Sequence, residues 1–129
     1  MREVLLVGIG GFFGSIARYG AGWLTRALLG PRATAGLPFP WATLAVNLAG
    51  CFAIGWILGR SEIQGALSPG VRALLVVGFL GGFTTFSSFG YETFALFRAG
   101  HAVVALLYAA GSVVVGLGAV ACGFWWGAK

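Results

Sequence analysis

The sequence predicts an all-α integral membrane protein whose four spans make up nearly the whole chain. Three observations predict this. Of the 129 residues, 59% are hydrophobic and only 9% charged, where a soluble domain carries roughly a quarter charged residues. Mean hydropathy is +0.95. The apolar residues also fall into four runs, each near the roughly 20 residues that a spanning helix needs. Such a composition cannot furnish a water-facing surface, so lipid is the solvent for most of the chain. It reads as one domain over residues 1–129. The 23 glycines agree, because glycine is common where membrane helices approach closely.

The first span covers residues 4–29, Val4 to Leu29, with Arg18 inside it. Gly30-Pro31 ends it, and the stretch to Pro40 reads as a loop. Its apolar run outlasts the core of a signal peptide, so a cleaved leader is not expected. The second span covers residues 41–59, and Arg60, Glu62, Gln64, Ser68 and Pro69 form the next loop. The third covers residues 71–97 and the fourth residues 102–126. Trp41, Trp125 and Trp126 fall at span ends, where interfacial aromatics belong.

The third span is not a plain helix. Its centre reads Gly81-Gly82-Phe83-Thr84-Thr85-Phe86-Ser87-Ser88-Phe89. Paired glycines and a Thr/Ser run are poor helix interior. In lipid, irregular backbone is tolerated only when protein buries it or a watery cavity receives it. A break at mid-membrane between Gly81 and Thr85 therefore points to an ion or substrate site. The competing reading is a glycine-lined packing face whose hydroxyls bond their own helix.

Net charge is +5, but the basic residues are scattered singly beside apolar runs. That pattern anchors a membrane protein and does not suggest nucleic acid. Four spans put Arg2, Arg60, Arg72 and Lys129 on one side and Arg26, Arg32 and Arg98 on the other. This near balance gives almost no positive-inside bias. Either both orientations insert, which allows an antiparallel two-fold dimer, or a weak bias still selects one.

No enzyme is expected. The one histidine, His101, flanks the fourth span, and Glu3 and Glu62 sit at span edges. No Ser/His/Asp set or carboxylate pair assembles. Cys51 and Cys122 lie in apolar runs without metal-ligand spacing and read as two buried thiols. The glycines from Gly8 to Gly14 lack the strand and the Lys-Ser/Thr of a phosphate loop, so helix packing accounts for them.

Polar groups inside spans are costly and usually face a bundle interior or a pore. Here they are Arg18, the pair Thr43 and Asn47, the run Thr84–Ser88, Glu92, and the pair Tyr108 and Ser112. Most are neutral donors, which suit an anion. Phe86 and Phe89 offer ring edges that are positive, although for two phenylalanines alone core packing is the favoured account. Asn47 could instead bridge helices through its amide, and Tyr108 and Ser112 share that ambiguity.

These residues resemble the Fluc (CrcB-type) family of microbial fluoride channels over essentially the whole length. Gly11, Gly14, Arg18 and Tyr19 match the family's first-span pattern. Thr43-Leu44-Ala45-Val46-Asn47-Leu48-Ala49-Gly50 matches its second, and the run Gly78 to Phe89 followed by Glu92 is its most diagnostic segment.

The resemblance implies a dual-topology antiparallel homodimer with two pores in the bacterial inner or plasma membrane. It would export fluoride passively and so give resistance to fluoride. Asn47 would donate to the ion, and Thr43 would support the pore near Asn47. Phe86 and Phe89 would line the path, and Tyr108 and Ser112 would form a polar track. The resemblance also implies a structural sodium ion (Na+), held by backbone carbonyls of Gly81 and Thr84 from both copies. Arg18 would stand near a vestibule or pack on Glu92. Two positions depart from the pattern: Gly116 stands where Ser or Thr is common, and Ser87-Ser88 where Ser-Thr is usual.

The competing functional reading is a small multidrug-type, proton-coupled exporter with Glu92 as its embedded carboxylate. A non-conducting subunit of a larger membrane complex is a third.

Overall fold

The computed structural model describes the backbone of residues 1–34 and 39–129, with side chains described for all of these except residues 31–34. Every regular element among the described residues is helical. Four stretches are long and apolar enough to cross a membrane: Arg2–Gly30, Trp41–Gln64, Pro69–Arg98 and Ala102–Gly127.

Helix α1 runs Arg2–Thr34 but turns at Gly30, whose φ of 67° is outside the helical range. That is where Gly30-Pro31 was expected to stop it. Residues 31–34, expected in the loop to Pro40, instead continue helical beyond that turn, while residues 35–38 and the Arg32 side chain lie outside the described residues. Helix α2 runs Trp41–Gln64 and stops at Gly65, whose φ is 93°. The second loop is thus shorter than expected. Arg60, Glu62 and Gln64 extend the helix past its apolar run, because helical bonding continues until glycine ends it.

The third span has two halves. The first, α3, is built of the consecutive segments Pro69–Val71, Arg72–Leu80 and Gly81–Phe83, the middle one wound as a π-helix. Such winding is rare and concentrates near functional sites. The second half, α4, is Phe86–Arg98. Only Thr84 and Thr85 are extended between them. The expected interruption over Gly81–Thr85 is therefore narrower, because Gly81–Phe83 keeps its helical turn. Helix α4 ends in a Schellman motif: Gly100, at φ 81°, and His101 donate back to Phe97 and Leu96. Helix α5 follows as Ala102–Gly127.

The helices pack as two pairs, α1 on α3 and α2 on α5. Both contacts are made by glycines spaced four apart, the small-xxx-small arrangement of membrane helices. Gly10 and Gly14 of α1 touch the backbone of α3 at Leu74, Gly78 and Phe79, and Gly82 answers against Gly11. Gly55 and Gly59 of α2 meet Val120 and Phe124, while Gly123 and Gly127 of α5 meet Phe52 and Trp56. Lipid tails are as apolar as leucine, so this close contact replaces the hydrophobic drive of a soluble core. The buried apolar set is accordingly small: Val46, Ala73, Leu80, Leu96, Ala105 and Tyr108.

The glycine on α5 that faces α2 is Gly123, so its neighbour Cys122 points outward and is exposed. Cys51 is half-buried. The expectation of two buried thiols holds for neither in full. A thiol is apolar enough to face lipid.

A testable consequence follows at Gly55. A Cβ there collides with the Val120 carbonyl, and backbone gives way less readily than a side chain. Gly55→Val should separate α2 from α5 and cost about 1–3 kcal/mol or more. Heating the detergent-solubilised variant and measuring the remaining monodisperse fraction by size exclusion should show a lowered midpoint.

Candidate functional site at the helix break

The break is held open by a side chain from another span. The Thr84 N–H makes the last helical bond, to Leu80 O at 2.9 Å. The next N–H, of Thr85, goes instead to Asn47 Oδ1 at 2.9 Å, and Asn47 Nδ2 donates to Thr85 O at 3.0 Å. The amide thus satisfies both backbone groups of one extended residue, as a neighbouring strand would. Thr85 then caps α4: its Oγ1 accepts from the Ser88 N–H at 3.3 Å and lies 3.2 Å from Ser88 Oγ. Thr85 thus makes the run a helix start, while the Thr84 hydroxyl donates back to Leu80 O of its own half-helix at 2.9 Å, as the competing reading expected of the hydroxyls.

Two carbonyls lose their helical donors by this arrangement. Gly81 O would receive the Thr85 N–H in an unbroken helix, and Thr84 O the Ser88 N–H. Both hydrogens are given elsewhere. Gly81 is exposed in the single chain. The break is therefore a set of backbone oxygens directed away from their own helix bonds.

Beyond the break, Glu92 is clamped between two spans. Thr43 Oγ1 donates to Oε1 at 2.7 Å, and the Tyr108 hydroxyl donates to Oε2 at 3.0 Å. Thr43, expected to support a pore near Asn47, spends its hydroxyl on Glu92. Arg18 was expected near a vestibule or on Glu92. It lines a groove of about 170 Å³ together with Arg26, Thr43, Thr85 and Ser88. Opposite lies a larger groove of about 370 Å³, lined by Asn47, Gly50, Cys51, Gly81, Thr84, Thr85, Phe86 and three aliphatic residues. Thr85 contributes to both, so the pairing with Asn47 stands between them.

The aromatic residues form a chain across the site. Phe86 and Phe89 rings lie 5.6 Å apart, Phe89 and Tyr108 5.2 Å, and Tyr108 and Phe39 5.4 Å edge to face. Tyr108 is 1% exposed, whereas Phe86 is 84% exposed and borders the larger groove. Ser112 Oγ is buried without a hydrogen-bond partner among the described residues.

The expected site residues thus fall into three groups. Asn47 meets Thr84–Thr85 at the break. Thr43 and Tyr108 meet at Glu92. Phe86 and Phe89 join the two, and Ser112 stands alone on α5. The clamp on Glu92 and the place of Phe39 were not foreseen. Glu92 was visible as a carboxylate in an apolar run, but its partners sit on other spans. Phe39 lies between two prolines, where no periodicity marks a buried face.

Comparison with known proteins fits this arrangement. A family model described as "CrcB-like protein, Camphor Resistance (CrcB)" matches residues 5–124. A protein named "Fluoride-specific ion channel FluC" from Thermus thermophilus is 53% identical over 117 residues, covering 91% of this chain and 88% of the relative. One of the same name from Chlorobaculum tepidum is 52% identical, covering 91% and 87%. Another, from Rhizobium leguminosarum, is 44% identical over 123 residues, covering 95% and 94%.

Proposed function

The chain belongs to the CrcB-like family, and on that premise we infer that it is a fluoride-specific ion channel, not an enzyme. The observation that carries this reading is the identity of about half of all residues, across about nine tenths of the chain, with relatives of that name. None of these relatives is named as a proton-coupled exporter.

The physical task is to strip water from a small, strongly hydrated anion and still release it. A narrow path of neutral donors does this without binding too tightly. Asn47 spends one Nδ2 hydrogen on Thr85 O, and a primary amide has two, so one remains for the ion. Phe86 and Phe89 present ring edges whose positive rim tolerates an anion. Tyr108 and Ser112 continue the path along α5. The hydroxyls of Thr43 and Tyr108 are committed to Glu92, so they reach a passing ion only as that carboxylate turns away. Arg18 and Arg26, in the groove beside Thr85, concentrate anions at the approach.

The pathway needs a second copy. A helix break with exposed Gly81 and Phe86 and donor-less carbonyls cannot face hydrocarbon. We read its cover as another copy of this chain, inserted in the opposite orientation, because the flanking charges barely favour one side. The carbonyls of Gly81 and Thr84 suit a hard monovalent cation such as sodium. They would hold it between the copies, where it supplies positive charge that links the two breaks. The channel would sit as a multi-pass protein in the bacterial plasma membrane, contacting lipid on its outer faces. It would let fluoride leave down its electrochemical gradient.

Cells deprived of their own fluoride export test this reading. Expression of the chain should restore growth at fluoride concentrations that arrest the parent, most clearly in acid medium, where HF enters neutral. Unchanged sensitivity with the protein present in the membrane contradicts it. Within the clamp, Tyr108→Phe keeps the ring stack and removes one hydrogen bond to Glu92, worth about 0.5–1.5 kcal/mol. Fluoride efflux from liposomes should fall about tenfold, with dimer yield unchanged.

A further inference from the structure

We propose that the Cys51 thiol lines the fluoride path as a hydrogen-bond donor, completing the polar seam between α2 and α5 where α5 has no side chain to offer. This rests on the fluoride-channel reading above. The two helices run in parallel and keep one register. Thr43 and Tyr108 share Glu92 at one end. Gly55 meets Val120 and Gly59 meets Phe124 at the other. Between them, Cys51 faces Gly116, with Sγ 3.5 Å from where a Gly116 Cβ would sit. The same register sets Asn47 level with Ser112.

Two further observations point to an occupant of this seam. Ser112 Oγ is buried and has no partner among the described residues, although buried hydroxyls are almost always hydrogen-bonded. Ser112 lies one turn from Gly116 on the same face of α5. Cys51 also borders the groove that holds Asn47, Thr84, Thr85 and Phe86. Past Cys51 the seam closes, because the α2 and α5 backbones touch at Gly55. Cys51 is thus the polar group next to that closure, where the seam opens to the groove. A thiol is a weak donor, so it offers the ion a foothold without trapping it.

The test uses the whole chain, purified and placed in liposomes, with Cys122→Ala as background so that Cys51 is the sole thiol. That background should conduct fluoride like the unmodified chain, and a small methanethiosulfonate reagent should block it, more slowly when fluoride is present. Adding Cys51→Ala should reduce fluoride efflux about tenfold and abolish block by the reagent. Cys51→Ser should restore efflux. Gly116→Ser placed on Cys51→Ala should restore it too, by returning a hydroxyl across the same gap. Full efflux from the Cys51→Ala variant, or reagent labelling of Cys51 without loss of efflux, overturns the proposal. The labelling arm needs no substitution at position 51, so misfolding of a variant cannot mask the answer. Failure of the unmodified chain to conduct would overturn the channel reading itself, a separate outcome.

Discussion

Asn47→Asp is expected to cut fluoride efflux by about a hundredfold or more while the protein still assembles. Two effects act together. The aspartate loses the Nδ2 donor that pairs with Thr85 O at 3.0 Å, leaving a carbonyl unpaired at a cost of about 1–3 kcal/mol. It also adds a fixed negative charge to the proposed anion path. Two like charges about 4 Å apart repel by about 4 kcal/mol at an effective dielectric of 20, and a tenfold rate change takes only about 1.4 kcal/mol. The charge therefore dominates. Assembly survives because the Thr85 N–H still finds an acceptor in the carboxylate and the capping by Thr85 is untouched. Efflux in liposomes, read beside size exclusion of the same preparation, separates the two effects. A normal rate in this variant places the ion path away from Asn47.

Phe86→Ile is the second large effect. Phe86 is 84% exposed in the single chain, so its ring adds little to the packing of one copy. Isoleucine keeps the apolar bulk beside the groove but removes the ring edge and the 5.6 Å contact with Phe89. Fluoride efflux should drop at least about tenfold, with a size-exclusion profile near that of the unmodified chain. If isoleucine conducts equally well, bulk alone matters at this position and ring electrostatics do not. The matching Phe89→Ile is less clean, because Phe89 packs against Tyr108 at 5.2 Å and its loss also disturbs the clamp on Glu92.

Much of this was legible in the sequence. Four apolar runs set the spans, and the Gly-Gly-Phe-Thr-Thr segment announced the interruption. Local propensity overstated its width, because glycine pairs are weak helix formers but Gly82 is wanted helical, pressed against Gly11. The end of α2 was misjudged for a similar reason. Charged residues mark where hydrocarbon ends, not where helical bonding ends. Asn47 was visible as a bridge or a donor. Its bond to Thr85 crosses 38 positions, and no local pattern encodes a partner that distant. The same holds for Glu92, whose two donors come from α2 and α5. Glycine spacing was the signal least used: the four-residue pairs that join α2 to α5 also fix the register on which every rung of the polar seam depends.

The most direct measurement is ion efflux from liposomes containing only the purified chain, with fluoride inside one set and chloride inside another, and a potassium ionophore to carry the balancing charge. The structure and the family predict rapid fluoride release that depends on the ionophore, and chloride release no faster than from empty liposomes. Equal release of both anions, or no fluoride release from correctly reconstituted protein, would contradict a fluoride-specific channel.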